Sequence, residues 1–183
     1  MSVQPSNGKR WETEPRRENQ ANSSNRVKRK SVMPTYVCSI PPGKLNDSQK
    51  SEIAGCISNR HSEATGAPQS MVQVVIEESR ADRYLGFKRT SDHIWVRGDI
   101  RAGRTEEARV EMMLNMMKDI NKITGIGDDN IWIYLCNLAP TDMVEYGHVL
   151  PKPGKEKQWF EQLPQSLQRY LASVGTTAEN FTL

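Results

Sequence analysis

The chain has 183 residues, of which 36% are hydrophobic and 26% are charged, a size and composition that suit one domain with a buried core. It contains no run of about 18 apolar residues and no apolar N-terminal segment, which argues against a membrane-spanning helix and a secretory signal. Cys38, Cys56 and Cys136 lack CxxC spacing, which favours buried thiols in a reducing, cytoplasmic setting over disulfides or a zinc site.

Positive charge is concentrated in residues 1–33. This segment holds eight Lys/Arg against three Glu, whereas residues 34–183 hold 17 basic and 19 acidic residues. Because residues 1–33 carry few apolar side chains, we expect a disordered basic tail. Its run from Arg26 to Lys30 resembles a weak nuclear-import signal, but a solvated tail, or one missing from the mature protein, is the simpler interpretation. The remaining domain is mildly acidic, so we expect no nucleic-acid partner for it.

The main organisational signal is an internal repeat with a shift of 59 positions. The shift places Thr65-Gly66 on Thr124-Gly125, Val72–Ile76 on Ile131–Leu135, and Tyr36-Val37 on Trp95-Val96. Each half then has the pattern of a strand, a helix and a strand, over about residues 34–78 and 93–136.

The first half opens with a predicted strand over about residues 34–40. Asn46, with Gln49 three residues later, is a candidate helix cap, and Gly66 is the expected helix stop. The predicted helix has a mostly apolar stripe that includes one histidine and consists of Ile53, Ile57, His61 and Ala64. A second strand is predicted over Met71–Ile76.

The second half repeats this order. Ile94–Val96 is a predicted strand, Thr105 a predicted helix cap, and Asn130–Leu135 the returning strand after Gly125. The predicted apolar stripe of the helix consists of Val110, Met113, Leu114, Met117 and Ile120, widened by Met112, Met116 and Ile123.

Two such units predict an α/β (α+β) fold in which right-handed parallel βαβ units form a four-stranded sheet with both helices on one face. The other face would be bare, so subunit association is expected to cover it. Residues 140–163 extend this domain, and residues 164–183 form a C-terminal segment with a short helix and a loose end from Gly175 onward.

Pro34 follows Met33 directly and opens the first strand. As a chain terminus its ring nitrogen would be a secondary amine, whereas inside a longer chain it is an imide without a basic lone pair. A proline that only opens an edge strand is the structural alternative. An initiator methionine before a small residue is normally removable, which favours the catalytic interpretation.

Other candidate residues are individually weaker signals. Arg101 and Arg104 flank a glycine before a helix start, where paired guanidinium groups can bind a carboxylate. His61 falls on the apolar helix stripe, and Tyr134 in an apolar strand needs a hydrogen-bond partner if buried. Glu145 lies in an apolar segment that could raise its pKa towards that of a general base.

A doubled βαβ unit that begins Met-Pro and carries an arginine pair before its second helix resembles the tautomerase superfamily. Within it, the chain is similar to the cis-3-chloroacrylic acid dehalogenase group from Pro34 to about Leu163. The likeness includes Ile131-Trp132-Ile133-Tyr134, Met143-Val144-Glu145-Tyr146-Gly147, Leu150-Pro151-Lys152-Pro153-Gly154 and Trp159-Phe160.

The resemblance implies a tautomerase/MIF-like fold and a homotrimer that needs no cofactor or metal. It also implies the roles of six residues. The catalytic ones would be Pro34, Tyr134 and Glu145, and those binding the substrate carboxylate would be His61, Arg101 and Arg104.

Three functions follow as expectations. The first is hydration or hydrolytic dehalogenation of a small unsaturated carboxylate, with Pro34 as the proton donor. The second is enol–keto tautomerisation of 2-hydroxydienoate-like or phenylenolpyruvate-like 2-oxo acids, with Pro34 as the base. The third is an inactive scaffold or binding protein, if residues 1–33 remain attached to Pro34.

Overall fold

The computed structural model describes residues 34–90 and 93–180, so the predicted tail over residues 1–33 lies outside the described residues. The strands are β1 Thr35–Ile40, β2 Gln73–Glu78, β3 Arg83–Leu85, β4 Lys88–Thr90, β5 Ile94–Arg101, β6 Ile131–Leu138, β7 Val144–Glu145 and β8 His148–Val149. The helices are α1 Asp47–Thr65, α2 Glu106–Thr124, α3 Glu156–Gln162 and α4 Gln165–Ser173. None of the helices in this part of the chain has the length and apolar character needed to cross a membrane.

The duplicated βαβ architecture is confirmed. The main sheet has the order β2-β1-β5-β6, in which β1/β2 and β5/β6 are parallel pairs. The two units meet through antiparallel pairing of β1 with β5, which sets Tyr36 opposite Gly98. This pairing places the beginning of β1 beside the end of β5, where Pro34 and Arg101 lie.

Both long helices begin and end where the sequence predicts. Asn46 and Gln49 form a capping box at α1, and the Thr105 side chain caps α2. Gly66 and Gly125 end the helices in the left-handed region, with φ of 77° and 72°. These caps fix the loops that lead into and out of each helix.

The first core lies between the helices and one face of the sheet. Its helix residues include Ile53, Ile57, Met112, Met116 and Ile120. The predicted stripe of α2 is confirmed at Met112, Met116 and Ile120 but is wrong at Val110 and Leu114, which are 43% and 48% exposed. Apolar residues cover more than half of the circumference of α2, so its sequence alone did not decide which row faces the sheet.

A second core joins the C-terminal segment to the domain. Its buried residues are Met71, Met143, Leu150, Phe160, Leu163, Leu167 and Leu171. The short helix predicted after Pro164 is confirmed as α4. The prediction of a loose end from Gly175 is wrong at Thr176, which is fully buried and hydrogen-bonded to Ser70 at 3.0 Å.

The sheet face opposite the helices carries exposed aromatic side chains. Alternation along the strands places Trp95, Trp132 and Tyr134 on this face, because Val96 and Ile131 point into the helix-side core. Trp132 and Tyr134 are 37% and 51% exposed. The sequence did not predict the β3–β4 hairpin, whose Tyr84 and Leu85 line a cavity of about 280 Å³ with these aromatic residues.

Candidate active site

One pocket lies where β1 begins and β5 ends. Four predicted site residues line it together: Pro34, His61, Arg101 and Arg104. Thr65, Ala67, Ile100 and Met143 complete its wall. The cavity volume within one chain is about 20 Å³, which is room for about one water molecule.

Pro34 is held in this pocket by the sheet. Its side chain is buried, and its carbonyl oxygen accepts a hydrogen bond from the Gln73 backbone N–H at 2.8 Å. This bond extends the β1/β2 pairing by one residue, so the position of the ring follows from the parallel ladder. Pro34 therefore lies at a rigid strand end rather than in a loop.

His61 is positioned by a residue that sequence reasoning missed. The Tyr36 hydroxyl lies 2.8 Å from His61 Nδ1, and both side chains are buried. Tyr36 has space to reach across the sheet because Gly98, its antiparallel partner, has no side chain. The Tyr36 hydroxyl donates to Nδ1, because its alternative acceptor, the Met112 sulfur at 3.9 Å, is weaker than an imidazole nitrogen.

The imidazole of His61 is neutral at physiological pH. Burial lowers its pKa to about 3, and the neighbouring Arg104 guanidinium acts in the same direction. Burial also raises the pKa of Tyr36, so its hydroxyl stays protonated and donates to Nδ1. The proton of His61 then sits on Nε2, which makes this nitrogen a neutral hydrogen-bond donor.

The two arginines differ in their surroundings. Arg101 is 6% exposed, and its Nη1 and Nη2 donate to Pro151 O and Glu156 Oε1, each at 2.8 Å. Arg104 precedes the Thr105 cap of α2, and its buried Nε has no hydrogen-bond partner among the described residues. Burial lowers the pKa of Arg104, and Arg101 adds to this, but a guanidinium remains charged. Arg104 therefore has unused donor capacity beside a helix N-terminus.

Glu145 is a buried carboxyl close in sequence to the pocket wall. It lies two residues beyond Met143 in the β7–β8 hairpin and is 8% exposed. Its Oε2 has no hydrogen-bond partner among the described residues. Burial raises its pKa to about 7, as its apolar sequence context predicted. A carboxyl with this pKa can gain or lose a proton near neutrality.

Tyr134 is not part of this pocket in a single chain. It is half exposed on the opposite sheet face, where its ring lies 6.2 Å from that of Trp95. Strand register pairs Tyr134 with Arg97, four residues before Arg101, which is roughly 13 Å along the strand. One chain therefore brings together four of the six predicted residues, with Glu145 two residues beyond the pocket residue Met143 and Tyr134 on the opposite sheet face.

Sequence reasoning also missed Glu156. This carboxylate and Pro151 belong to the segment after β8, and no local pattern in the sequence indicates that they reach Arg101. The role of Tyr36 could have been inferred from the sequence, because the register of the two repeats pairs this aromatic residue with a glycine, Gly98. Across the described part of the chain, no group of three or more His, Cys, Asp or Glu side chains could hold a metal ion.

A comparison with protein families matches residues 68–143 to a family described as tautomerase enzymes. The matched region contains Arg101, Arg104 and Tyr134. A comparison with curated proteins finds no match.

Solved structures provide stronger likenesses. A crystal structure of N1, a member of the cis-3-chloroacrylic acid dehalogenase (cis-CaaD) family, is 29% identical over 76% of this chain and 99% of that chain, with a TM-score of 0.71. Pt0534, crystallised after inactivation by 2-oxo-3-pentynoate, is 23% identical over 63% and 94%, with a TM-score of 0.58. A symmetric trimer of wild-type fused 4-OT is 20% identical over 63% and 94%, with a TM-score of 0.59. The last two likenesses support the fold.

Proposed function

This chain belongs to the tautomerase superfamily, in the group similar to cis-3-chloroacrylic acid dehalogenase, and from that premise we propose that it is a cofactor-independent enzyme acting on a small unsaturated carboxylate. Its reaction is water addition, which becomes hydrolytic dehalogenation when the substrate carries a halogen. The observation that carries this proposal is the meeting of Pro34, His61, Arg101 and Arg104 in one pocket.

The cationic side of the pocket binds the substrate carboxylate. Arg104 supplies unused N–H donors and a positive charge, and Arg101, held in place by Glu156, lines the site beside it. Neutral His61 contributes an Nε2–H donor without adding charge. These contacts draw electron density towards the carboxylate and leave the β-carbon of the double bond electrophilic.

Water addition then requires a base and an acid. Glu145, ionised, removes a proton from water as the oxygen attacks the β-carbon, and protonated Pro34 delivers a proton to the α-carbon. Where the β-carbon carries a halide, the adduct loses halide and a proton to give an aldehyde acid. Pro34 can perform this role only as a free secondary amine, so the active form begins at Pro34 and lacks residues 1–33.

Tyr134 joins the reaction through assembly. Because it lies on the exposed sheet face roughly 13 Å along the strand from Arg101, a second copy must present it to the pocket. We assign the chain to a homotrimer in which the bare sheet faces are covered and Tyr134 of one subunit assists Glu145 of another. Residues 34–163 then form the catalytic domain, with the C-terminal segment supporting it.

A specific observation favours a second reaction in the same pocket. Arg101 and Arg104 line the pocket together with Pro34, and positive charge there disfavours a protonated ring nitrogen. A neutral Pro34 is a general base for enol–keto tautomerisation of a 2-oxo acid. Tautomerase activity would thus require neutral proline, whereas water addition requires its protonated form.

The decisive experiment compares a chain that starts at Pro34 with the full-length chain. Both are incubated with a cis-3-haloacrylate, an enolised 2-oxo acid and 2-oxo-3-pentynoate, followed by intact-mass analysis. We expect turnover and a single covalent adduct on Pro34 only when the amine is free. Equal labelling of the blocked chain, or an unreactive Pro34 terminus with both substrates, would exclude proline catalysis and leave the scaffold interpretation.

A further inference from the structure

Arg101 is already paired within the protein. Its guanidinium lies 2.8 Å from Glu156 Oε1, and the two side chains are 5% and 13% exposed. A second guanidinium nitrogen donates to the Pro151 carbonyl oxygen at 2.8 Å. Charge-assisted hydrogen bonds in a poorly solvated site are strong and directional, so Glu156 holds a charge of opposite sign against the pocket wall.

The segment that carries Glu156 is fastened to the arginine loop at a second point. Gly103, between the two arginines, has φ of +126°, and a Cβ there would lie 2.9 Å from Pro153 Cγ. The Pro153 ring therefore packs directly on the loop backbone. Together with the bonds from Arg101, this contact holds Glu156 in a fixed position against Arg101, a residue of the pocket wall.

The charges around the pocket then leave one cation for a ligand. Arg101 is balanced by Glu156, whereas Arg104 has a buried Nε without a hydrogen-bond partner among the described residues. His61 is neutral and supplies hydrogen bonding alone.

We propose that Glu156 is a specificity-determining residue that restricts this site to substrates with one carboxylate. This inference rests on the proposed function and names its substrate class, a monocarboxylic acid. A dicarboxylic acid would bring a second negative charge into a site where the second guanidinium is already neutralised. That charge would lose its hydration without gaining a cationic partner. This cost is the basis of the discrimination between acids with one and with two carboxylates.

The test is a pair of matched ligands measured by calorimetry with the chain that starts at Pro34. Crotonate and fumarate share a trans double bond and differ by a methyl group against a carboxylate. We expect the wild-type chain to bind crotonate more tightly, and Glu156→Gln to shift the affinity ratio roughly tenfold towards fumarate, because the variant keeps a hydrogen-bond acceptor but releases one positive charge. Glu161→Gln, an exposed substitution on the same helix, should leave the ratio unchanged.

A charge-balanced variant keeps the test informative if Glu156→Gln folds poorly. Arg101→Gln/Glu156→Gln removes both charges and should bind more weakly overall while it retains the preference for crotonate. If crotonate binds but Glu156→Gln leaves the ratio unchanged, or the double variant shifts it towards fumarate, Glu156 does not set specificity and the proposed function stands. If neither acid binds to the wild-type chain and 2-oxo-3-pentynoate does not label Pro34, the proposed function and this inference both fail.

Discussion

The hydrogen bond between Tyr36 and His61 fixes which imidazole nitrogen faces a ligand. Tyr36→Phe removes this donor at a buried site, where the two atoms are 2.8 Å apart. We expect a loss of about 1 kcal/mol in unfolding free energy and a roughly fivefold rise in KM for the carboxylate, with a smaller change in kcat. Urea titration and steady-state kinetics check this, with exposed Tyr84→Phe as control. An unchanged KM would mean that His61 does not depend on Tyr36.

Glu145 should make stability depend on pH, and with it the proposed water addition. Its folded pKa of about 7 exceeds that of an unfolded glutamate, so the folded state binds this proton more tightly and loses stability as pH rises from about 4.3 through 7. Relative to Glu145→Gln, the wild-type chain should lose about 3 kcal/mol between pH 4.5 and 8 in urea titrations. Hydration should show the opposite trend and fall below about pH 7 as the base is protonated. Parallel stability curves for the two chains would contradict this account.

At the scale of single residues, the sequence was most informative where a position departs from the repeat. His61 corresponds to Ile120, and both are buried on the sheet side of their helices. The architecture therefore requires burial there but does not require a histidine. Glu156 had no such signal, because its contact with Arg101 depends on the path of a whole segment.

Among the elements, the antiparallel contact between β1 and β5 controls the site through Gly98. A Cβ at this position would lie 2.8 Å from Tyr36 Cδ1 and 2.9 Å from Leu135 Cδ2. Gly98→Ala should cost about 2 kcal/mol in unfolding free energy and raise KM as Tyr36 moves away from His61. Gly55→Ala is the matched control, since nothing lies within 4 Å of its added Cβ in α1, and it should stabilise the chain by about 0.5 kcal/mol. Equal effects of the two substitutions would contradict this role of Gly98.

Elements with strong local signals were predicted well, and those formed by tertiary packing were not. Asn46, Thr105 and the two helix-ending glycines identified both long helices from local chemistry. The β7–β8 hairpin has no such signal, because its turn places Tyr146 at φ of 52°, where glycine or asparagine is the usual residue. Packing of Tyr146 against the second core holds this conformation, and with it the position of Glu145.

At the scale of the whole molecule, a single chain leaves one face of its main sheet uncovered. Trp132 and Tyr134 are exposed on the sheet face without helices, and the pocket around Pro34 has room for about one water molecule. The sequence predicted a bare face because two crossover helices on one side leave the other uncovered. It did not locate Tyr134 relative to Pro34, since that distance follows from strand register.

A site shared between copies should be restored by mixing inactive subunits. Pro34→Ala replaces the secondary ring amine with a flexible primary amine and Tyr134→Phe removes the phenol, so each variant alone should show little activity. When the two are co-expressed, about a quarter of the sites in a cyclic trimer combine an intact Pro34 with an intact Tyr134, and activity should return in proportion.

Pro34→Ala with His61→Asn is the matched control, because both residues line the pocket of the same chain and mixing cannot reunite them. Turnover is measured on assemblies separated by size, which also reports whether the assembly is a trimer. Restored activity in the control pair would mean that Pro34 and His61 do not act from one chain, and no recovery in the test pair with intact trimers would mean that a second copy does not supply Tyr134. Full activity of Tyr134→Phe alone would place Tyr134 outside the reaction.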